Sequence, residues 1–86
     1  MIYAVIAHQG ADALGASIAR NYPGGYAFPP SCWFIDEPGS AEAVSIRLGI
    51  DNGKLPGVQA VVLPVTNYHG YAAGGLWDWL RSHWPG

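Results

Sequence analysis

The order of strand-like and helical patterns along the chain limits the folds that it can adopt. Apolar runs typical of strands alternate with segments in which apolar residues recur at four-residue spacing, as in helices. The predicted order is strand, helix, strand, strand, helix, strand, followed by an aromatic tail. The strands are predicted at 2–7, 26–28, 31–36 and 58–65, the main helices at about 12–22 and 40–48, and a short tail helix at about 74–84.

This order predicts an α+β fold, a ferredoxin-like βαββαβ sandwich formed by residues 1–86 as a single domain. Its antiparallel sheet would have the strand order 4-1-3-2, so the second and fourth strands would be its edges. Proline cannot donate a ladder hydrogen bond and is confined to edge strands. Pro64 falls in the fourth predicted strand, and Pro29 and Pro30 end the extended segment 25–30 that contains the second. The tail helix, or a second copy of the chain, is expected to cover the face that the two main helices leave open.

Short polar residues and a glycine mark the predicted ends of the helices. Asp12 is expected to cap the first helix and Ser40 the second, because their side chains can accept hydrogen bonds from free backbone N–H groups. Gly49 is placed to end the second helix. Three acidic residues lie on turns, where solvated or capping roles are expected: Asp36, Glu37 and Asp51.

Charged residues are scarce in this chain. They make up 12% of the sequence, against about 25% in typical soluble domains. Interface cores are depleted in charge and rich in aromatic residues, so the composition predicts a homodimer or a complex with a protein partner. The net charge is −2 and the four basic residues are scattered, whereas duplex binding requires a basic stripe. These charges argue against a nucleic-acid partner.

The cysteine content and the longest apolar run bear on the compartment. Cys32 is the one cysteine and lies in an apolar strand, which excludes an internal disulfide and fits a reducing compartment. Met1 leads directly into the first strand, without a signal peptide. No run approaches the roughly 18 apolar residues of a membrane span. We therefore expect a cytoplasmic protein without a membrane partner.

His8, just past the first predicted strand, is the first candidate for chemistry. It could be a metal ligand or a general base, with Asp12 a few residues further on. A single histidine without a paired carboxylate is more commonly structural. In the expected fold His8 would neighbour Ser31, Cys32 and Gln59, which disfavours a site built from several histidines. The sequence contains no phosphate-binding glycine loop, paired-cysteine zinc spacing or serine elbow.

Two aromatic groups near the end of the sequence are candidates for recognition. One loop combines polar and aromatic side chains that could stack on a base or anchor a partner, or could pack on the tail helix. The tryptophans of the tail could form a docking hot spot, or a lid that completes the core. The loop residues are Asn67, Tyr68, His69 and Tyr71, and the candidate interface residues of the tail are Trp77, Trp79 and Trp84.

Several segments carry a resemblance to a known family. They are C-W-F-I at 32–35, S-A-E-A-V at 40–44 with R-L at 47–48, V-V-L-P-V-T at 61–66 and W-D-W-L at 77–80. Over about residues 31–84 the chain resembles the small SinR-like and VapD-like proteins, relatives of the smaller of two CRISPR adaptation proteins. The resemblance implies a ferredoxin-like fold, a homodimer and, in some relatives, metal-dependent nuclease activity. The aspartate that binds metal in those relatives ends the first strand, where this chain has Ala7, His8 and Gln9.

These observations favour a non-catalytic homodimer that serves as an interaction or regulatory module, without a metal or cofactor. One alternative is a metal-dependent ribonuclease of the VapD or CRISPR-adaptation type. In it, His8 and Asp12 would hold a Mg²⁺ or Mn²⁺ ion that activates water. The other alternative is a small-ligand protein, for instance for a nucleotide, that binds through Tyr68, His69 and Tyr71.

Overall fold

The computed structural model describes residues 1–71 and 74–84, which form one sheet and three α-helices. The order of strands and helices is confirmed, although the first strand runs two residues further than expected. In chain order the elements are β1 (Ile2–Gln9), α1 (Ala11–Asn21), β2 (Tyr26–Phe28), β3 (Cys32–Asp36), α2 (Ala41–Leu48), β4 (Gln59–Pro64) and α3 (Leu76–His83), with a short 3-10 turn at Asp51–Gly53.

The four strands form an open, fully antiparallel sheet. They lie side by side in the order β2-β3-β1-β4, which is 4-1-3-2 when counted from the β4 edge. Ile6 of β1 lies opposite Cys32 on one side and Val61 on the other. Because side chains alternate between the faces of a sheet, these three residues share a face. The strands β2 and β4 form the two edges.

The main core lies between the sheet and the helices α1 and α2. Leu14 and Ile18 of α1, and Val44 and Leu48 of α2, stand four residues apart and therefore face the same way on each helix. They pack on alternate residues of the strands, whose side chains share one face, so both helices cover the same face of the sheet. The buried residues of this helix-side core are Tyr3, Val5, Ala7, Leu14, Ile18, Ile35, Val44, Leu48 and Val58.

A second, smaller core lies on the opposite face of the sheet, beneath α3. Leu76 and Leu80 are buried together with Ile2, which agrees with the four-residue spacing of these leucines. The indole Nε1 of Trp79 donates a hydrogen bond to the carbonyl oxygen of Gly24 at 2.8 Å. The tail helix therefore packs on the sheet of its own chain. This is one of the two arrangements expected for the face that α1 and α2 leave open. None of the helices in the described ranges is both long and apolar enough to cross a bilayer.

The expected cap of the first helix is wrong, and the expected ends of the second are right. The N-cap of α1 is Gly10, with a left-handed φ of 78° and no side-chain cap, and Asp12 lies in the first turn. A Cβ atom at Gly10 would lie 2.5 Å from the carbonyl oxygen of Gly57, so this close approach selects glycine. In α2, the Ser40 hydroxyl accepts a hydrogen bond from the Ala43 N–H at 3.1 Å, and Gly49 is left-handed at φ 85°.

Candidate interaction surface

The helix α3 covers only part of its face of the sheet and leaves an apolar strip in contact with solvent. The strip consists of Ile6, Val61 and Leu63, whose exposed fractions are 39%, 52% and 48%. Val61 lies opposite Ile6 and Leu63 lies opposite Ala4, so the strip is continuous from β1 to the edge of the sheet. Exposed apolar groups that adjoin one another mark interaction sites more often than scattered single ones do.

An open pocket of about 410 Å³ lies at one end of the apolar strip. It contains no aspartate, glutamate, lysine or arginine, and its polar side chains are His8 and Gln59. The surface that continues from the strip therefore has no acidic side chain, lysine or arginine and is partly apolar. The pocket is lined by Ile6, Ala7, His8, Gln59, Ala60 and Val61.

The outer edge of β4 borders the same strip. Val65 N donates to Ile2 O at 2.8 Å, and antiparallel pairs alternate between bonded and non-bonded positions. The backbone groups of Val61 and Leu63 therefore point toward β1, while those of Ala60 and Val62 point away from it. In the part of the chain that the structure describes, no further strand pairs with β4. Residues 58–65 also carry no charged side chain.

His8 lies at an irregularity in the pairing of β1 with β4. The register shifts between Ala7 and Gln9, so His8 is the extra residue of a bulge, and its side chain is exposed. Ala7 N donates to Ser31 O at 2.8 Å, and Gln59 lines the same pocket as His8. Of the three neighbours expected for His8, Gln59 thus shares a pocket with it and Ser31 bonds to the residue before it. Bulges often redirect a side chain, and here His8 faces the end of the apolar strip.

The donor set around His8 and Asp12 does not fit a dedicated divalent-ion site. Asp12 is exposed in the first turn of α1. Over the described ranges, no group of three or more histidine, cysteine, aspartate or glutamate side chains could hold a metal ion. Calcium takes six to eight oxygen ligands, and magnesium binds through carboxylates with near-ideal octahedral geometry. A histidine and one surface carboxylate supply neither arrangement.

The four loop residues do not converge on one site. The ring of Tyr68 stacks on Trp77 with centroids 6.0 Å apart, and it meets the edge of Trp84 at 5.0 Å. Asn67 uses its Oδ1 to accept a hydrogen bond from the backbone N–H of Tyr68 at 2.9 Å. The remaining two residues, His69 and Tyr71, are exposed to solvent. Tyr68 therefore belongs to the packing of the tail, while His69 and Tyr71 lie outside that packing.

The three tail tryptophans attach α3 to the rest of the chain. Trp77 and Trp84 contact Tyr68, and all three residues pack against the small core. Trp79 stacks on His83 with centroids 4.0 Å apart and bonds to Gly24 O. Each tryptophan is only partly buried, so each also contributes to the surface beside the covered part of the sheet.

A buried carboxylate that sequence reasoning missed lies where β3 leads into α2. Glu37 is 7% exposed, so the solvated role, one of the two expected for it, is wrong. Its Oε1 accepts from the Tyr22 hydroxyl at 2.7 Å and its Oε2 accepts from Gly39 N at 2.9 Å. The Nε of Arg47 lies 3.8 Å from Oε1. Gly39 is only two residues away, as the expected capping role would have it, whereas Tyr22 and Arg47 come from other parts of the chain, for which the sequence offered no local signal. Asp36 is exposed as expected.

The hydrogen bonds of this cluster shift the pKa of both side chains. The bond from Tyr22 lowers the pKa of Glu37, and the bond from Gly39 N and the nearby Arg47 charge act in the same direction. Burial raises the pKa of Tyr22, and the bond to Glu37 raises it further. The cluster therefore favours an ionised carboxylate beside a neutral phenol, which is the arrangement that both hydrogen bonds require.

Glu37 is expected to make the free energy of unfolding decrease as the pH is lowered through the acid range. An unfolded glutamate titrates near pH 4.3, and the folded-state pKa of Glu37 lies lower. The unfolded chain therefore binds more protons in this window, and the contribution of Glu37 is lost as pH falls through its folded pKa.

Urea unfolding at a series of pH values should give a flatter pH dependence of the free energy of unfolding for Glu37→Gln than for the wild type. Glu42→Gln, at an exposed position, is the control, and an unchanged slope in Glu37→Gln would contradict the prediction.

Comparison with known proteins adds no relative to these observations. No protein-family model, no curated protein and no solved structure matches the chain.

Proposed function

We propose that this chain is a small, non-catalytic interaction module of the cytoplasm that functions as a homodimer with a ferredoxin-like fold. The observation that carries the proposal is the uncharged apolar strip of Ile6, Val61 and Leu63 beside an unpaired sheet edge. In a monomer, these apolar side chains and the unpaired backbone groups beside them would all remain in contact with water. A second copy of the chain at this edge would bond the backbone groups and shield the β4 part of the strip.

The ferredoxin-like part of the proposal rests on the order of the elements and on their layers. The strand and helix order of residues 1–64 is βαββαβ, and the sheet is antiparallel with β1 and β3 at its centre. The helices α1 and α2 pack on one face. The opposite face is where α3 and the apolar strip lie, so it is the face available for a partner.

The homodimer part rests on the distribution of charge. A two-fold interface places the same patch of both subunits together, so any charged group on its axis meets a like charge. The apolar strip, the adjoining pocket and residues 58–65 contain no aspartate, glutamate, lysine or arginine side chain. Two copies can therefore meet here without repulsion. The resemblance to SinR-like and VapD-like proteins, which implies a homodimer, points the same way.

The non-catalytic part rests on the residues at the end of β1. The resemblance places a metal-binding aspartate there in the relatives that cleave RNA, and this chain has Ala7, His8 and Gln9. The ribonuclease alternative would depend on His8 and Asp12 with no third ligand of the same kind among the described residues. The small-ligand alternative would depend on Tyr68, which is engaged by Trp77 and Trp84. No specific observation favours either the ribonuclease or the small-ligand alternative.

Val61→Lys is expected to convert the dimer to a monomer. A lysine at this position would bring like charges together across a two-fold interface and would also disrupt the apolar strip. The mass of the wild type in solution should be twice the chain mass of 9.1 kDa, measured by light scattering and sedimentation equilibrium. We expect the dissociation constant of Val61→Lys to rise at least tenfold, or about 1.4 kcal/mol.

Ile46→Lys is the matched control for this experiment. Ile46 is 56% exposed, close to the 52% of Val61, but it lies on α2, which packs on the opposite face of the sheet. The control should remain a dimer. A wild-type protein that is monomeric at high micromolar concentration would overturn the proposal, as would equal weakening by the two lysine substitutions.

A further inference from the structure

We propose that two copies join through antiparallel pairing of their β4 strands, centred on Val61, into one continuous sheet of eight strands. This inference rests on the proposed homodimer and specifies its geometry. Each chain contributes four strands with β4 at one edge. A two-fold axis through Val61 places residue 61 of each copy opposite itself, and pairs Ala60 with Val62 of the second copy.

The first argument is that the edge of β4 is open to pairing. The N–H and C=O groups of Ala60 and Val62 point away from β1, as the bond from Val65 N to Ile2 O and the ladder alternation require. An exposed edge of this kind is a template for another strand unless charges, prolines or bulges block it. The one proline of this edge, Pro64, is the last residue of β4. Residues 58–65 contain no charge, and the bulge of the β1–β4 pair lies in β1, at His8.

The second argument is the small area of the apolar strip. A stable interface needs about 800 Å² from each partner, and even a large aromatic side chain buries only about 150–250 Å². Three aliphatic side chains that are about half exposed fall well short of that area. Side-chain contact alone would therefore give a weak dimer. Backbone pairing at the adjacent edge would add hydrogen bonds and bring α2 and β4 of both copies into contact range.

The third argument fixes the register through Pro64. A proline inside a paired strand leaves the opposite carbonyl without a donor. With the axis at Val61, Ala60 and Val62 exchange both hydrogen bonds with their counterparts, and Pro64 falls beyond the paired segment. With the axis at Val62, Pro64 would face Ala60 of the second copy and leave its carbonyl unpaired. The axis at Val61 is therefore the register that uses every outward donor and acceptor of Ala60 and Val62.

Ala60→Pro tests whether the edge itself is used. The substitution removes an N–H that points away from β1, so the ladder within the chain keeps its bonds. The proline ring adds two carbon atoms beside a partly buried position. We expect a folded monomer, with the circular dichroism spectrum and thermal transition of the wild type at matched low concentration. A folded Ala60→Pro protein that remains a dimer would overturn edge pairing while leaving the proposed homodimer in place.

Disulfide trapping tests the register independently of that substitution. In a Cys32→Ser background, Val61→Cys would place two thiols at a non-hydrogen-bonded pair with Cα atoms about 4.5 Å apart, within the range of about 4.4–6.8 Å that a disulfide spans. Leu63→Cys is the matched control. Its counterpart would lie four residues away along the strand, at about 13 Å, which is out of reach.

Each outcome of the trapping experiment decides something. Rapid covalent dimerisation of Val61→Cys, with little from Leu63→Cys, supports pairing centred on Val61. Faster trapping of Leu63→Cys in a protein that is dimeric by mass overturns the register but leaves the homodimer. A wild-type chain that is monomeric by mass overturns both the homodimer and the pairing.

Discussion

Replacing Leu80 by alanine is expected to lower the free energy of unfolding by about 2–5 kcal/mol and to release α3 from the sheet. Leu80 is 2% exposed and packs with Leu76 and Ile2 in the small core. The helix α3 has eight residues, and helices this short do not persist alone in water. Its structure therefore depends on that packing, and the loss of one buried leucine removes a large part of it.

Tryptophan fluorescence is the measurement that reports this release. Three of the four tryptophans lie in the tail segment, at 77, 79 and 84, so release of α3 should move the emission to longer wavelength. Ile46→Ala removes a side chain that is 56% exposed, and it should leave both the emission and the stability near those of the wild type. If Leu80→Ala keeps wild-type emission and stability, α3 is not held by the small core of its own chain.

Gly10→Ala is expected to destabilise the fold by about 2–4 kcal/mol, from a strained backbone and a steric clash together. Gly10 has φ of 78°, a conformation that L-residues with a Cβ rarely adopt. The added Cβ would also lie 2.5 Å from Gly57 O and 2.9 Å from Cγ2 of Val58. The start of α1 and the entry to β4 would therefore have to separate.

Gly53→Ala separates the two causes. Gly53 also has a positive φ, of 66°, but a Cβ there would meet nothing within 4 Å. Only the backbone strain of about 1–2 kcal/mol should apply to it. Denaturant midpoints of the two variants should therefore differ, with Gly10→Ala the less stable. Equal midpoints would mean that the approach of Gly57 to Gly10 does not constrain the fold.

The order of the elements and the faces of the strands could be predicted because they depend on local patterns. The alternation of side chains along a strand places Trp33 and Ile35 on one face of β3 and Cys32 and Phe34 on the other. The two cores accordingly contain Ile35 and Phe34 on opposite sides of the sheet. The cap of α2 at Ser40 was predictable for the same reason, since it is a bond between residues three apart in the chain.

Features that depend on distant segments could not be predicted. The start of α1 is set by the approach of Gly57 to Gly10, and the pattern around Asp12 carries no trace of it. The environment of Glu37 is likewise set by Tyr22, directly after α1, and Arg47 of α2, which meet only in the folded chain. From the sequence alone, a buried glutamate beside a turn proline looks the same as a solvated one.

The candidate surface was predictable only in part. The alternation in β4 shows that Val61 and Leu63 share a face, but the same pattern would fit a strand whose Val61 face is buried. The length of α3 decides the outcome, because eight residues extend only about 12 Å and cannot cover the whole width of the face. The sequence identifies the tail tryptophans as candidate site residues, but it does not reveal the hydrogen bond from Trp79 to Gly24.

The separation of the two cores by the sheet has a consequence for how the protein fails on heating. The small core of Ile2, Leu76 and Leu80 can open while the helix-side core stays intact, because the two share no buried side chain. Such an opening would join the apolar residues beneath α3 to the strip of Ile6, Val61 and Leu63 and expose one unbroken apolar sheet face. Aggregation would then proceed from a chain that is still mostly native, at a rate set by the local opening of α3 rather than by global unfolding.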